Sequence, residues 1–335
     1  MRLERLQKLE KLDLRIPDWN PFPQEVRICP FCGEHAEPLF LRPDGLPVSQ
    51  CSICRCFYVS LQVSDKDLQE FYDQYWSVTC PRPLTDEMAR YLLASAEKRA
   101  DADHTLQKLG ALSGTWKNKK VLDVGCGFGE KATMMKVLGA SVTGLDISTN
   151  AVKFMKEKLG IESYRTSIEE FSGHKNHFDI VTMFEFIEHP LKPLSAIHLA
   201  VERLKAGGLL AIVTPNGTAG EQVMHHHGGW IGFRAELEHM QYLHADTIAW
   251  LASKFGCRIV HLEQFGVRSF ENTSSKKKCV SSLEHRRLRK IVKGIPGVRK
   301  AVYAFRDLQT RKRVTNMPPR DIGIYHLFAV LQKFK

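Results

Sequence analysis

Residues 121–130 read VLDVGCGFGE, an apolar run interrupted by an acid and followed by three glycines at alternate positions. In a dinucleotide-binding fold the glycines fall as G-x-G-x-x-G after the first strand, and a pyrophosphate rests on the N-terminus of the next helix. Here they are Gly125, Gly127 and Gly129, so the last comes one residue early. Asp123 raises a stronger objection, because a carboxylate at the mouth of a pyrophosphate site sets anion against anion in a partly dry cleft. A ligand that carries positive charge removes the conflict.

Strand and helix patterns alternate outward from this stretch. KVLDVG is followed by a helix over EKATMMKVLG, then SVTGLDI, a helix over NAVKFMKEKLG, a short ESYRT, FDIVTMF, a helix over LSAIHLAVERLKAG, and LLAIVT. That order predicts an α/β doubly wound fold, a parallel sheet with helices on its faces. A helix near DTIAWLASKFG, the strand RIVHLEQFG and a last strand GIYHLFAVLQKF extend it. S-adenosylmethionine answers the charge argument, since it brings an ammonium and a sulfonium on an adenosine and has no phosphate. Asp146 lies 21 residues beyond Gly125 at the end of the second strand, where an acid accepts hydrogen bonds from ribose hydroxyls.

On these motifs the sequence resembles the class I S-adenosylmethionine-dependent methyltransferases, over roughly residues 106–265 and again at the last strand. The resemblance implies a Rossmann-like seven-stranded sheet whose last strand is antiparallel. It implies that Asp123, Gly125 and Gly127 take the methionine end of the cofactor and Asp146 the ribose. Ser167 stands where the family usually has an acid, and with Ile168 it is expected to touch adenine; Cys126, Gly129, Ile147, Phe184 and Glu185 complete the expected cofactor set.

A second unit precedes this domain. Cys29, Cys32, Cys51 and Cys54 form a C-x2-C-x18-C-x2-C array, which lies in the range read as a zinc site. Two C-x-x-C turns complete a tetrahedral thiolate shell, so the predicted Zn2+ site is closed and structural. Cys56 is a bystander. The chain thus divides into an N-terminal helical lead (1–25), a zinc ribbon (26–62), a helical connector or cap (63–112) and the cofactor-binding domain (113–335).

The substrate is less legible. The motif FEFIEHP after the fourth strand differs from the Asn/Asp-Pro-Pro-aromatic motif of enzymes that methylate base nitrogens, and the ribbon in front of it resembles sugar and polysaccharide-cluster methyltransferases. That resemblance implies a tyrosine before the first motif and Glu-His pairs after the fourth and fifth strands, here Tyr75, His189, and Glu238 with His239. A base is needed only if the nucleophile loses a proton, and histidine titrates in the right range. His239 is the first expectation for that base and His189 the second. The run His225, His226, His227 reads as a loop over the substrate hinged at Gly228 and Gly229, because consecutive side chains diverge too far to share a metal.

Charge adds a partner. Of the 48 Lys and Arg in the chain, 15 fall in residues 271–320 against 3 Asp and Glu, so this insertion is +12 and, with the whole chain at +11, the remainder is about −1. Its apolar residues recur at helical spacing, as in two basic amphipathic helices. It is expected to draw an anionic small-molecule substrate or the acidic face of a membrane; RNA is the rival, although no aromatic stacking pattern accompanies the charge. With no signal-peptide pattern and no apolar run near the roughly 20 residues of a membrane span, the expected location is cytoplasmic, peripheral to the inner membrane face if the insertion binds lipid. The leading expectation is methyl transfer to a sugar, nucleotide sugar or glycolipid precursor. A zinc-ribbon RNA methyltransferase comes second, and a quinone or lipid O-methyltransferase or a non-catalytic cofactor-binding regulator follows.

Overall fold

The computed structural model describes residues 26–42, 44–64, 68, 72, 84–172, 174–224, 230–233, 237–267 and 324–334. The helical lead, Tyr75, His225–His227, Gly228, Gly229 and the basic insertion 271–320 lie outside the described residues. Eleven strands and seven α-helices follow one another among those that are described, with a π-helical turn at Met155–Leu159 and a 3-10 turn at Ile231–Phe233. The strands are β1 (Pro38–Leu41), β2 (Pro47–Gln50), β3 (Phe57–Val59), β4 (Lys120–Val124), β5 (Ser141–Asp146), β6 (Glu162–Arg165), β7 (Phe178–Phe184), β8 (Leu204–Pro215), β9 (Gln241–Tyr242), β10 (Cys257–Val267) and β11 (Ile324–Lys333). The helices are α1 (Asp86–Ala102), α2 (His104–Ser113), α3 (Glu130–Val137), α4 (Thr149–Phe154), α5 (Pro193–Arg203), α6 (Gly217–Met224) and α7 (Ala245–Lys254).

Seven strands make the main sheet in the order β10-β11-β8-β7-β4-β5-β6. β4 pairs in parallel with β5 and β7, β5 with β6, and β7 with β8, while β11 runs antiparallel between β8 and β10. This is the predicted seven-stranded sheet with an antiparallel last strand. The central strands read as continuous apolar runs because helices cover both faces; Val121, Leu122, Ile180, Val181, Leu210 and Ile212 are all fully buried. The chain reverses its strand order beside β4, and the C-terminal ends of β4, β5, β7 and β8 are where such sheets bind ligands.

α1 starts at Thr85, whose side chain accepts from Met88 N, with Asp86 and Glu87 in its first turn. Asp103 then caps α2 by accepting from Leu106 N at 3.0 Å. Ala89, Leu92, Ala100 and Leu106 of this pair share a core with Phe128, Ala132 and Met135 of the glycine loop and α3. The connector thus packs directly on the helix that follows the glycine loop.

One boundary differs from the sequence reading. The helix expected over LSAIHLAVERLKAG stops at Arg203, and β8 begins at Leu204. Leu204 leaves the helix in extended geometry, and the register of β7 against β8 shifts between Phe178 and Ile180 to absorb the extra residues around Gly207, which sits at φ +75°.

The ribbon does not close on itself. β1, β2 and β3 form an antiparallel meander, and β3 then pairs with β9, Phe57 opposite Tyr242 and Tyr58 opposite Gln241. Its fourth strand therefore comes from the segment that carries Glu238 and His239. Cys29, Phe31, Cys51, Cys54 and Tyr58 belong to the same core as Leu122, Val181, Leu243 and Leu251 of the main domain.

Candidate functional site

The glycine loop is built around two carboxylates. Asp123, next to last in β4, is 3% exposed and its Oδ1 accepts from Thr182 Oγ1 at 2.7 Å. Burial pushes its carboxyl up to about 6, against the opposing pull of Thr182 and the Lys131 ammonium. Gly125 N and Cys126 N both donate to Leu145 O, at 2.8 and 3.0 Å, and so tie the loop to β5. Gly127 N donates to Asp146 Oδ2 and Ser148 N to Asp146 Oδ1, each at 2.8 Å. Burial raises the Asp146 carboxyl while these backbone donors oppose the rise. Each of its oxygens still has a lone pair for a ligand hydroxyl.

Gly125, Gly127 and Gly129 have φ of +72°, +54° and +84°, a region in which side chains are strained. At Gly125 the demand is doubled, since an added Cβ would lie 2.5 Å from the Phe186 ring. Phe186 belongs to FEFIEHP, so this contact joins the glycine loop to the loop that bears His189, the second candidate for the base.

The other expected cofactor residues divide. Ile147 is exposed beside Asp146, and Phe184 is half-buried with Lys131 Nζ 5.6 Å from its ring centre. Glu185 adopts φ +52°, donates its N–H to Val213 O at 2.7 Å and faces His326 Nε2 at 3.3 Å. Ser167 Oγ accepts from Glu170 N at 3.2 Å, so it stabilises its own turn, and Ile168 is 1% exposed within the core.

At the ends of β7 and β8 the histidines converge. His239 and Glu238 are buried, His189 is half-buried, and the His189 and His239 rings meet edge to face with centroids 4.8 Å apart. Two partners come from residues that the sequence reading passed over. Glu188 is fully buried and its Oε2 accepts from Thr214 Oγ1 at 2.9 Å. Tyr72 OH lies 2.5 Å from His189 Nδ1, while Tyr75, the tyrosine expected from the motif, lies outside the described residues. Ligating atoms of Glu188, His189 and His239 all fall within 4.8 Å of one another. The signal for Glu188 was its adjacency to His189 in IEHP; for Tyr72 it was the repeated tyrosine of FYDQYW. Two imidazoles beside a carboxylate and a phenol can hold and pass a proton.

The four ribbon thiols also converge. Cys29 Sγ is 3.5 Å from Cys54 Sγ, Cys32 Sγ is 3.2 Å from Cys51 Sγ, and all four lie within 4.8 Å of one another. Four soft donors at one point, with no histidine or carboxylate among them, fit a closed zinc shell. Cys56 stays outside this quartet, its Sγ directed to the carbonyls of Phe57 and Tyr242.

Residues 91–262 match the family profile of a methyltransferase domain. The chain belongs to the methyltransferase-domain family. Within this methyltransferase chain, 126 residues are 37% identical to a ubiquinone biosynthesis O-methyltransferase of Actinobacillus pleuropneumoniae serotype 5b, covering 35% of this chain and 52% of that relative. A protein of the same name from Salmonella newport is 36% identical over 110 residues, 31% of this chain and 46% of its own length. The methyltransferase chain thus spans about half the length of the curated relatives it matches. Among solved structures, an S-adenosylmethionine-dependent methyltransferase from Archaeoglobus fulgidus aligns with a TM-score of 0.44 at 19% identity, over 74% of this chain and 95% of that one. Another from Mesorhizobium loti aligns with a TM-score of 0.45 at 14% identity, over 70% and 100%.

Proposed function

We propose that this chain transfers the methyl group of S-adenosylmethionine to a hydroxyl or keto-activated carbon of a small molecule, with His239 as the base. The observation that carries the reading is the Gly125–Phe186 contact, which sets the cofactor loop against the loop of Glu188 and His189, next to His239. S-adenosylmethionine, when bound, supplies a carbon already activated by positive sulfur. The chain's residues then do the aligning. Asp123 answers the cofactor's ammonium, Gly125, Cys126, Gly127 and Gly129 let the backbone come close, and Asp146 with Ile147 takes the ribose. Phe184 and Glu185 flank the methionine end, and the turn that Ser167 holds borders the adenine with Ile168 buried beneath it. His239 withdraws the acceptor's proton onto an imidazole nitrogen, with Glu238 beside it, while Tyr72 and Glu188 orient His189 as an alternative proton holder. Alignment of this kind accounts for up to roughly 7–11 kcal/mol of a barrier, and a placed base for ~10²–10⁴-fold.

A sugar, nucleotide sugar or glycolipid precursor is the first acceptor class, on the combination of ribbon and paired Glu-His elements. A ring hydroxyl of a quinone precursor is the second, favoured by the names of the relatives. The +12 segment supports an acceptor that is itself anionic, or lies at an acidic membrane surface. Cys29, Cys32, Cys51 and Cys54 would hold a structural zinc ion. The deciding experiment incubates the protein with labelled S-adenosylmethionine and a fractionated small-molecule extract, with bulk RNA in parallel, and identifies the labelled product by mass. Label in a glycan precursor or a phenolic fraction supports the reading and separates its two acceptor classes; label in bulk RNA alone overturns it.

A further inference from the structure

Two ribbon arginines reach into the segment that carries the candidate base. Arg42 is fully buried, and so is Asp44, which accepts from Arg42 Nη2 at 2.6 Å and Nε at 3.3 Å and from Leu46 N at 3.1 Å. The rest of the Arg42 guanidinium crosses to the main domain. Nη2 donates to Leu237 O at 2.7 Å, and Nη1 to His239 O at 2.5 Å and Tyr242 Oη at 3.0 Å. The carbonyls it holds bracket Glu238. From the other side Met240 N donates to Glu188 O at 2.7 Å, and Arg27 Nη1 donates to Met240 O at 3.1 Å.

From this geometry we propose that Arg42 is a positioning residue for methyl transfer: the ribbon holds Glu238 and His239 in the site by gripping the peptide carbonyls on either side of Glu238. The inference rests on His239 being the base. A guanidinium suits the task because its planar fork makes several fixed hydrogen bonds at once and never loses its charge, whereas an ammonium is a single point. The grip matters for chemistry because an error of about 1 Å in placing a catalytic group costs ~10²-fold in rate. It also gives the ribbon a function at the site. Thr247 Oγ1 donates to Cys54 O at 2.8 Å, so the cysteine knuckle is fastened to the start of α7, just beyond the same segment.

A purely structural ion pair would also be buried and hydrogen-bonded, so the test separates fold from rate. Zinc-loaded full-length wild type, Arg42→Lys and Arg42→Met are compared in two arms. Backbone hydrogen exchange needs no acceptor: Arg42→Met is expected to speed exchange at residues 238–242 by tenfold or more while residues 121–130 are unchanged, and Arg42→Lys to fall between. Methyl transfer from labelled S-adenosylmethionine to the extract fraction that the wild type labels is the second arm. There apparent kcat is expected to drop about 10²-fold in Arg42→Met at an unchanged KM for the cofactor, with partial recovery in Arg42→Lys. Wild-type exchange at 238–242, or an unchanged kcat, in either variant overturns the proposal, as does a kcat loss matched by loss of cofactor binding. If Arg42→Met does not fold, Arg42→Lys alone decides. If the wild type labels no fraction, the methyl-transfer reading has failed instead; if His239→Gln keeps full activity, the base assignment has; in both cases the exchange arm still decides whether Arg42 holds the segment.

Discussion

Burial holds the Asp123 carboxyl near a pKa of about 6, so at neutral pH the chain folds around a charge that water screens poorly. The sign follows from linkage. A carboxyl whose folded pKa lies above its unfolded value costs stability when ionised, and the cost fades as pH falls from about 6 toward 4. A shift of this size corresponds to about 3 kcal/mol. A cofactor ammonium would offset it, which gives two predictions. Asp123→Asn is expected to raise the melting temperature of the cofactor-free protein while weakening S-adenosylmethionine binding at least tenfold, seen in thermal melts with and without cofactor. In the wild type, calorimetry should find affinity falling as pH drops below about 6, because protonation removes the charge that the ammonium answers; a flat profile from pH 5 to 7.5 would place the ammonium elsewhere.

At the scale of elements, the glycine loop is the part that tolerates least. Gly125→Ala would strain a backbone at φ +72° and press a methyl group into Phe186. It is expected to destabilise the fold by about 1–3 kcal/mol and to abolish cofactor binding at millimolar concentration, measured by melting and calorimetry. Much of this level was legible in the sequence. VLDVG and FDIVTMF are mostly apolar because both faces of their strands are covered, and the acid-glycine spacing named a ligand class. The end of α5 was not, because LKAGG carries neither a clear helical nor a clear strand period. β9 was out of reach as well, since two residues have no period and its pairing with β3 spans most of the chain. At the candidate site, motif position singles out His189, Glu238 and His239, and the fold sets the His189 and His239 rings against each other. Tyr72 and Arg42 carry no such motif, because what makes them notable is contact across long sequence separation.

Across the whole molecule, the ribbon shares a core with β4 and Leu243, and its sheet is completed by β9 just after Glu238 and His239, so metal and catalysis are expected to be linked. Freshly prepared protein should contain one equivalent of zinc in the ribbon, and Cys51→Ser should lose it, lower the melting temperature and reduce methyl transfer more than cofactor affinity; elemental analysis beside a binding isotherm checks all three. The most direct measurement of the account sets wild type against His239→Gln, both zinc-loaded, with labelled S-adenosylmethionine and the acceptor fraction. Equal cofactor binding with transfer lowered ~10²–10⁴-fold in the variant is the predicted result. Transfer at the wild-type rate by His239→Gln would contradict it.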